Sequence, residues 1–194
     1  MKTIIFTLTN LFLVYSLSYS QFVSDYPFKT YLDEENSLYI TGFEFNGKTN
    51  DIFIQKKSRS TSSGASWKRN IENPDGNDAA LDIISDINGN CFITGYYFNK
   101  ISKSNEIIVL ALNPDGTVFW ESIYNNTGDD KGIGIDISIN EDGSVNEIFI
   151  SGYINSQNTG KDIIIKKYDE FGVSQFESIY PHPGDDVATD ITLD

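Results

Sequence analysis

Three segments decide the fold of this chain: LYITGFEF at Leu38–Phe45, CFITGYYF at Cys91–Phe98 and IFISGYIN at Ile148–Asn155. Superposed on their Thr-Gly or Ser-Gly pairs, they recur after 53 and then 57 residues. A period of that length marks a supersecondary unit, larger than one strand or helix.

Around this anchor each unit has four strand-like runs. The first run is FKTYLD (Phe28–Asp33), LDIISD (Leu81–Asp86), IDISIN (Ile135–Asn140) and again TDITLD (Thr189–Asp194); the Thr/Ser-Gly segment is the second. The third is DIFIQKKS (Asp51–Ser58), EIIVLALN (Glu106–Asn113) and DIIIKKYD (Asp162–Asp169), and the fourth is SWKRNIE (Ser66–Glu72), FWESIYN (Phe119–Asn125) and QFESIYP (Gln175–Pro181). DINGN (Asp86–Asn90), NPDG (Asn113–Gly116) and DEFG (Asp169–Gly172) fall between runs, and such residues accept the positive φ of tight hairpin turns. Each unit therefore reads as a four-stranded antiparallel meander.

Ile107-Ile108-Val109-Leu110 and Ile163-Ile164-Ile165 are apolar on consecutive residues. A strand apolar on both sides must be covered on both faces. Four-stranded sheets stacked face to face in series describe a β-propeller. The expected fold is all-β: a partial propeller with three complete blades, at about 26–75, 76–128 and 129–184, and the first strand of a fourth at 185–194.

The string DAALDIISDINGNCFITGYYF (Asp78–Phe98), followed by EIIVLALNPDGTVFWESIYN (Glu106–Asn125), resembles the seven-bladed β-propeller repeat labelled SBBP, found in secreted bacterial proteins. The Asp-Ile, Asp-x-x-Gly-Asn, Thr-Gly and Asp-Gly-x-x-x-Trp elements occur in order, and the resemblance covers most of residues 26 to 194. Two positions depart from it. Lys29 stands where later units carry Asp82, Asp136 and Asp190, and Phe176 stands where earlier units carry Trp67 and Trp120. Closed propellers have four to eight blades, so three and a fraction imply either a fragment of a longer protein or self-association through exposed blade faces.

Residues 1–20 read as a secretory signal peptide: Lys2, an apolar run from Ile4 to Leu17, and Ser18-Tyr19-Ser20 as the small-residue cleavage site. The mature chain is expected outside the cell or at its surface, with no membrane insertion. The formal charge of -14 disfavours nucleic acid and anionic lipid as partners and leaves extracellular neutral glycan, basic protein patches or a cation such as Ca²⁺. Cys91, the single cysteine, occupies an apolar strand position and reads as a buried hydrophobe.

In a meander the connections alternate between the two ends. The second-to-third loops (46–50, 99–105, 156–161) thus share one face with the links between units, which carry Asp78, Asp129, Asp130, Asp185 and Asp186. These acids are the candidate ligand-binding residues, with Ca²⁺ as a conceivable guest because it takes six to eight oxygens. The competing reading makes them turn and strand-entry caps. His182, flanked by Pro181 and Pro183, has no His or Cys at metal-ligand spacing. Ser60–Trp67 is similar to the Asp-box turn of sialidases, but Ser62 replaces its Asp, and Arg59 and Arg69 do not make an arginine triad. Trp67 and Trp120 read as packing between blades before they read as glycan platforms. The sequon at Asn125-Asn126-Thr127 bears only on a eukaryotic secretory route. Two functions follow as expectations: a non-catalytic secreted binding scaffold, or the propeller portion of a carbohydrate-active hydrolase or lyase whose catalytic residues lie elsewhere.

Overall fold

A computed structural model describes residues 25–59, 65–126 and 128–194. The signal peptide, most of the Asp-box-like turn and Thr127 of the sequon lie outside the described residues.

Among the described residues twelve strands form three four-stranded antiparallel sheets in chain order. The first holds β1 (Asp25–Leu32), β2 (Leu38–Phe45), β3 (Asn50–Lys57) and β4 (Trp67–Ile71). The second holds β5 (Ala79–Ser85), β6 (Cys91–Asn99), β7 (Ser104–Leu112) and β8 (Val118–Tyr124), and the third holds β9 (Lys131–Ile139), β10 (Val145–Ser156), β11 (Gly160–Asp169) and β12 (Ser174–Tyr180). The first strands lie side by side, β1 against β5 and β5 against β9. The fold is a partial β-propeller of three blades. The opening run of a fourth, residues 187–194, carries no ladder of its own and lies against β9, where Asp136 Oδ2 accepts the Leu193 N–H at 2.8 Å. Among the described residues no helix is long and apolar enough to cross a membrane.

The core sits between blades, and β7 shows why its sequence is apolar throughout. Ile108, Leu110 and Leu112 join Tyr39, Ile52 and Ile54 of the first blade in one cluster. Ile107, Val109 and Ala111 join Ile148, Ile150 and Ile164 of the third blade in another. Each face of the second blade is thus buried by a neighbour, and burial of each such side chain contributes roughly 1.5–3 kcal/mol. On the outward face of the first blade, Gln55 and Lys57 stand where β7 has Leu110 and Leu112, so polar groups cover the side that lacks a neighbour.

The Thr/Ser-Gly pair is explained by a bulge. In every blade the first strand shifts register opposite this glycine, between Pro27 and Lys29, Ala80 and Asp82, and Ser151 and Gly152 with their partners. That shift drives a first-strand carbonyl into the space a side chain would need. A Cβ on Gly95 would lie 2.0 Å from the Ala79 oxygen, and Gly42 and Gly152 meet Tyr26 and Lys131 oxygens in the same way. In the first two blades the preceding hydroxyl ties the pair across the sheet, with Thr41 donating to the Phe53 carbonyl at 2.8 Å and Thr94 to that of Ile108 at 3.1 Å, whereas Ser151 Oγ in the third has no partner among the described residues.

Register also refines the unit alignment. Counted from the Thr/Ser-Gly pair, Lys29 and Asp82 correspond to Gly134, which faces Ser151. Asp136 matches Asp82 only when counted back from the hairpin turn. The third blade's first hairpin is longer, and a second bulge between Val145 and Glu147 takes up one of its extra residues.

Candidate binding face

The second-to-third loops and the inter-blade links do meet at one end of the blades, held by a clasp repeated at each link. Asn77 Oδ1, Asp129 Oδ1 and Asp185 Oδ1 accept the N–H of Asn50, Asn105 and Lys161, the residues at or near the start of each third strand, at 2.9, 2.8 and 3.1 Å. The next residue donates its own N–H back to the same strand: Asp78 to Asn50, Asp130 to Asn105 and Asp186 to Lys161, at 2.7–2.8 Å. The recurring Gly-Asp-Asp and Gly-Asn-Asp are therefore joints that fasten each link to the blade before it.

The second acid of the joint also reaches forward into its own blade. Asp78 Oδ1 accepts from Phe98 N at 2.7 Å and Asn73 Nδ2 at 3.0 Å, and Asp130 Oδ1 accepts from Asn155 N at 2.8 Å. Both residues are fully buried, and Oδ2 of each has no hydrogen-bond partner among the described residues. Burial dominates their titration and pushes both up to about 7, with Asp51 adding to it at Asp78 and Glu106 and Asp129 at Asp130. These carboxyls do not fit a cation that wants six to eight oxygens. Among the described residues no group of three or more His, Cys, Asp or Glu gathers at metal-binding distance. Of the five candidate acids, the structure pairs Asp129 with Asp130 and Asp185 with Asp186 in separate joints and leaves Asp78 in a third.

A second stitch, at the inner strands, gives the Asp-Ile element its meaning. Asp82 Oδ1 accepts from Ile83 N at 2.9 Å while its Oδ2 accepts from Ile135 N, in the next blade, at 3.0 Å. Asp136 repeats this with Ile137 and Leu193. Lys29 replaces the carboxylate in the first blade by a cation, which lies 3.2 Å from Asp82 Oδ1.

Trp67 and Trp120 pack between blades. Trp67 covers Gly116 and Trp120 covers Gly172, each in the third-to-fourth turn of the following blade. Phe176 holds the matching register and is 51% exposed. Cys91 is buried in the cluster between the first two blades, its thiol pushed up to about 12 by burial. His182 is an exposed link residue whose Nδ1 lies 3.9 Å from Asp186.

Among the hollows that the described residues line at the junction of the second and third blades, one lies at the turn end and one at the loop end. The one at the turn end, about 380 Å³, includes Asp86, Asn113 and Asn140. Those side chains close on their own hairpins: Asp86 accepts from Asn88 N, Asn90 N and Asn90 Nδ2, Asn113 Nδ2 donates to Thr117, and Asn140 Nδ2 to Ser144. The one at the loop end, about 360 Å³, is lined by Gly76, Asn77, Tyr96, Phe98, Asn105 and Lys131. Here aromatic walls stand beside amide and ammonium donors, the mixture expected of a small-molecule site. The loops and links meet at this end as the sequence leads one to expect, while the lining of this hollow is made by residues other than the five candidate acids. The available signal was Lys131, a cation entering a first strand where the second unit has Ala79.

Compared with protein-family models and with curated proteins, the chain matches none.

Proposed function

We propose that this chain is a non-catalytic secreted propeller scaffold of the seven-bladed SBBP type that binds glycan through its loop face. The observation that carries the reading is the loop-end hollow, where Tyr96 and Phe98 offer ring surface to the C–H face of a sugar while Asn77 and Asn105 offer amide groups for its hydroxyls. The signal-peptide reading of residues 1–20 and the element order shared with that repeat supply the extracellular setting. The aspartates of the links serve the scaffold by fixing the blades that form the hollow.

The test is a glycan-array screen of the mature chain followed by calorimetric titration of the best ligand. Binding that falls at least tenfold in Tyr96→Ala, with an unchanged circular dichroism spectrum, supports the reading. Binding that survives this change, or no binding to any glycan at millimolar concentration, overturns it.

A further inference from the structure

The loop-end hollow holds a cation that the fold has left without a counter-ion. Lys131 Nζ sits 4.0 Å from the centre of the Tyr96 ring, and Lys161 Nζ sits 4.5 Å from that of Tyr153, one blade position further on. Among the described residues neither ammonium has a carboxylate within ion-pairing distance. Five described lysines are ion-paired, Lys29 with Asp82, Lys68 with Asp25 and Glu44, Lys100 with Asp75, Lys166 with Glu177 and Lys167 with Glu147, whereas Lys48, Lys56, Lys57 and Lys103 have no such partner among the described residues. Lys56, buried over the Tyr39 ring, is unpaired too, but of these ammonium groups it is Lys131 that lines the hollow.

The neighbouring polar groups add donors. Asn105 makes no side-chain hydrogen bond to a described residue, and Asn77 spends its Oδ1 on Asn50 N, leaving its Nδ2 for a guest. Burial lowers the Lys131 pKa and Lys161 lowers it further, against the opposing pull of Asp129. An anion in the hollow relieves both effects, and a charge-assisted bond there is stronger than one at an open surface.

We infer that this hollow takes a carboxylated sugar, a uronic-acid-like pyranose whose carboxylate meets Lys131 and whose ring lies against Tyr96 and Phe98. The inference rests on the proposed glycan-binding reading and names the substrate class. Lys161, on β11 of the same blade as Lys131, contributes long-range attraction, and the acidic surface elsewhere rejects the same anion, so recognition is confined to this spot.

The experiment titrates the mature chain with galacturonate and glucuronate oligosaccharides and with their neutral galactose and glucose counterparts. Acidic ligands are expected to bind roughly tenfold more tightly, with the preference abolished in Lys131→Met, retained in Lys131→Arg and weakened by raised salt. Equal affinity for acidic and neutral ligands, or a preference unchanged in Lys131→Met, overturns the carboxylate inference and leaves glycan binding standing. No binding of either class overturns both.

Discussion

The indole Nε1 of Trp67 donates to the carbonyl oxygen of Pro114, 47 residues on, at 2.8 Å, and Trp120 repeats the contact with Glu170 at 2.9 Å. Each tryptophan closes over a turn glycine of the following blade, so the bond fixes the angle between sheets as well as adding contact area. Trp120→Phe keeps the ring and loses the donor, and should cost about 1 kcal/mol in urea unfolding. Trp120→Ala should cost about 3 kcal/mol or more. Equal costs for the two would show that the hydrogen bond and the ring are not separable.

Gly95 is a steric requirement. Its missing Cβ would fall 2.0 Å from the Ala79 oxygen and 2.8 Å from the Ala80 Cα, both backbone atoms that cannot rotate away. Gly95→Ala should destabilise by about 3 kcal/mol or more. Gly47, with φ +97 and open space around it, is the control, and Gly47→Ala should cost about 1 kcal/mol. A mild Gly95→Ala would mean that the bulge in the first strand is not fixed.

Stability should fall as pH rises from about 4 to 7. The carboxyls of Asp78 and Asp130, pushed up to about 7, keep their protons in the folded chain at pH values where the unfolded chain has released them. The native state binds more protons across that window, so raising pH favours unfolding. Asp115, Asp142 and Asp162, held low by Thr117, Ser144 and the Ser156–Thr159 hydroxyls, act in the opposite sense, and only below the ordinary carboxylate range. The thermal midpoint should therefore be higher at pH 5 than at pH 8. The double variant Asp78→Asn with Asp130→Asn should flatten the difference, and an unchanged slope would remove these two residues as its source.

Cys91 should resist labelling. It is fully buried, and its thiol is raised to about 12, so almost no thiolate exists at neutral pH. Iodoacetamide should modify it only at the rate of unfolding, with denaturant restoring ordinary reactivity. Rapid labelling of the native chain would show that the first two blades separate easily.

Blade number, strand order and the two-faced burial of β7 were legible in the sequence because they follow from period, turn residues and consecutive apolar positions; β11, apolar in the same way, buries Ile164 but leaves Ile163 and Ile165 only partly buried. The link acids were legible as a recurring pattern but not in their duty. Gly-Asp-Asp looks the same whether its carboxylates face solvent or a backbone amide of another blade, and that choice is made by packing between segments some 25 residues apart. Asp82 shows the same limit. Its partner Ile135 N lies 53 residues away, and no local pattern announces it. Lys131 was harder still, because its significance is a missing counter-ion, which depends on where every acid in the neighbourhood points. The register offset at Gly134 was hidden by two bulges that let different ends of one hairpin suggest different alignments.

The stitches at the inner and outer edges share a direction. Asp82 and Trp67 reach from an earlier blade to main-chain atoms of the next, Ile135 N and the Pro114 carbonyl. The receiving module needs a peptide group in the right place and a glycine beneath the tryptophan, so the rest of its side chains at those points are unconstrained. Duplication, loss or exchange of modules therefore demands no matched change in the recipient, which makes such a chain tolerant of recombination between copies and leaves each copy's loops at liberty to diverge toward different ligands.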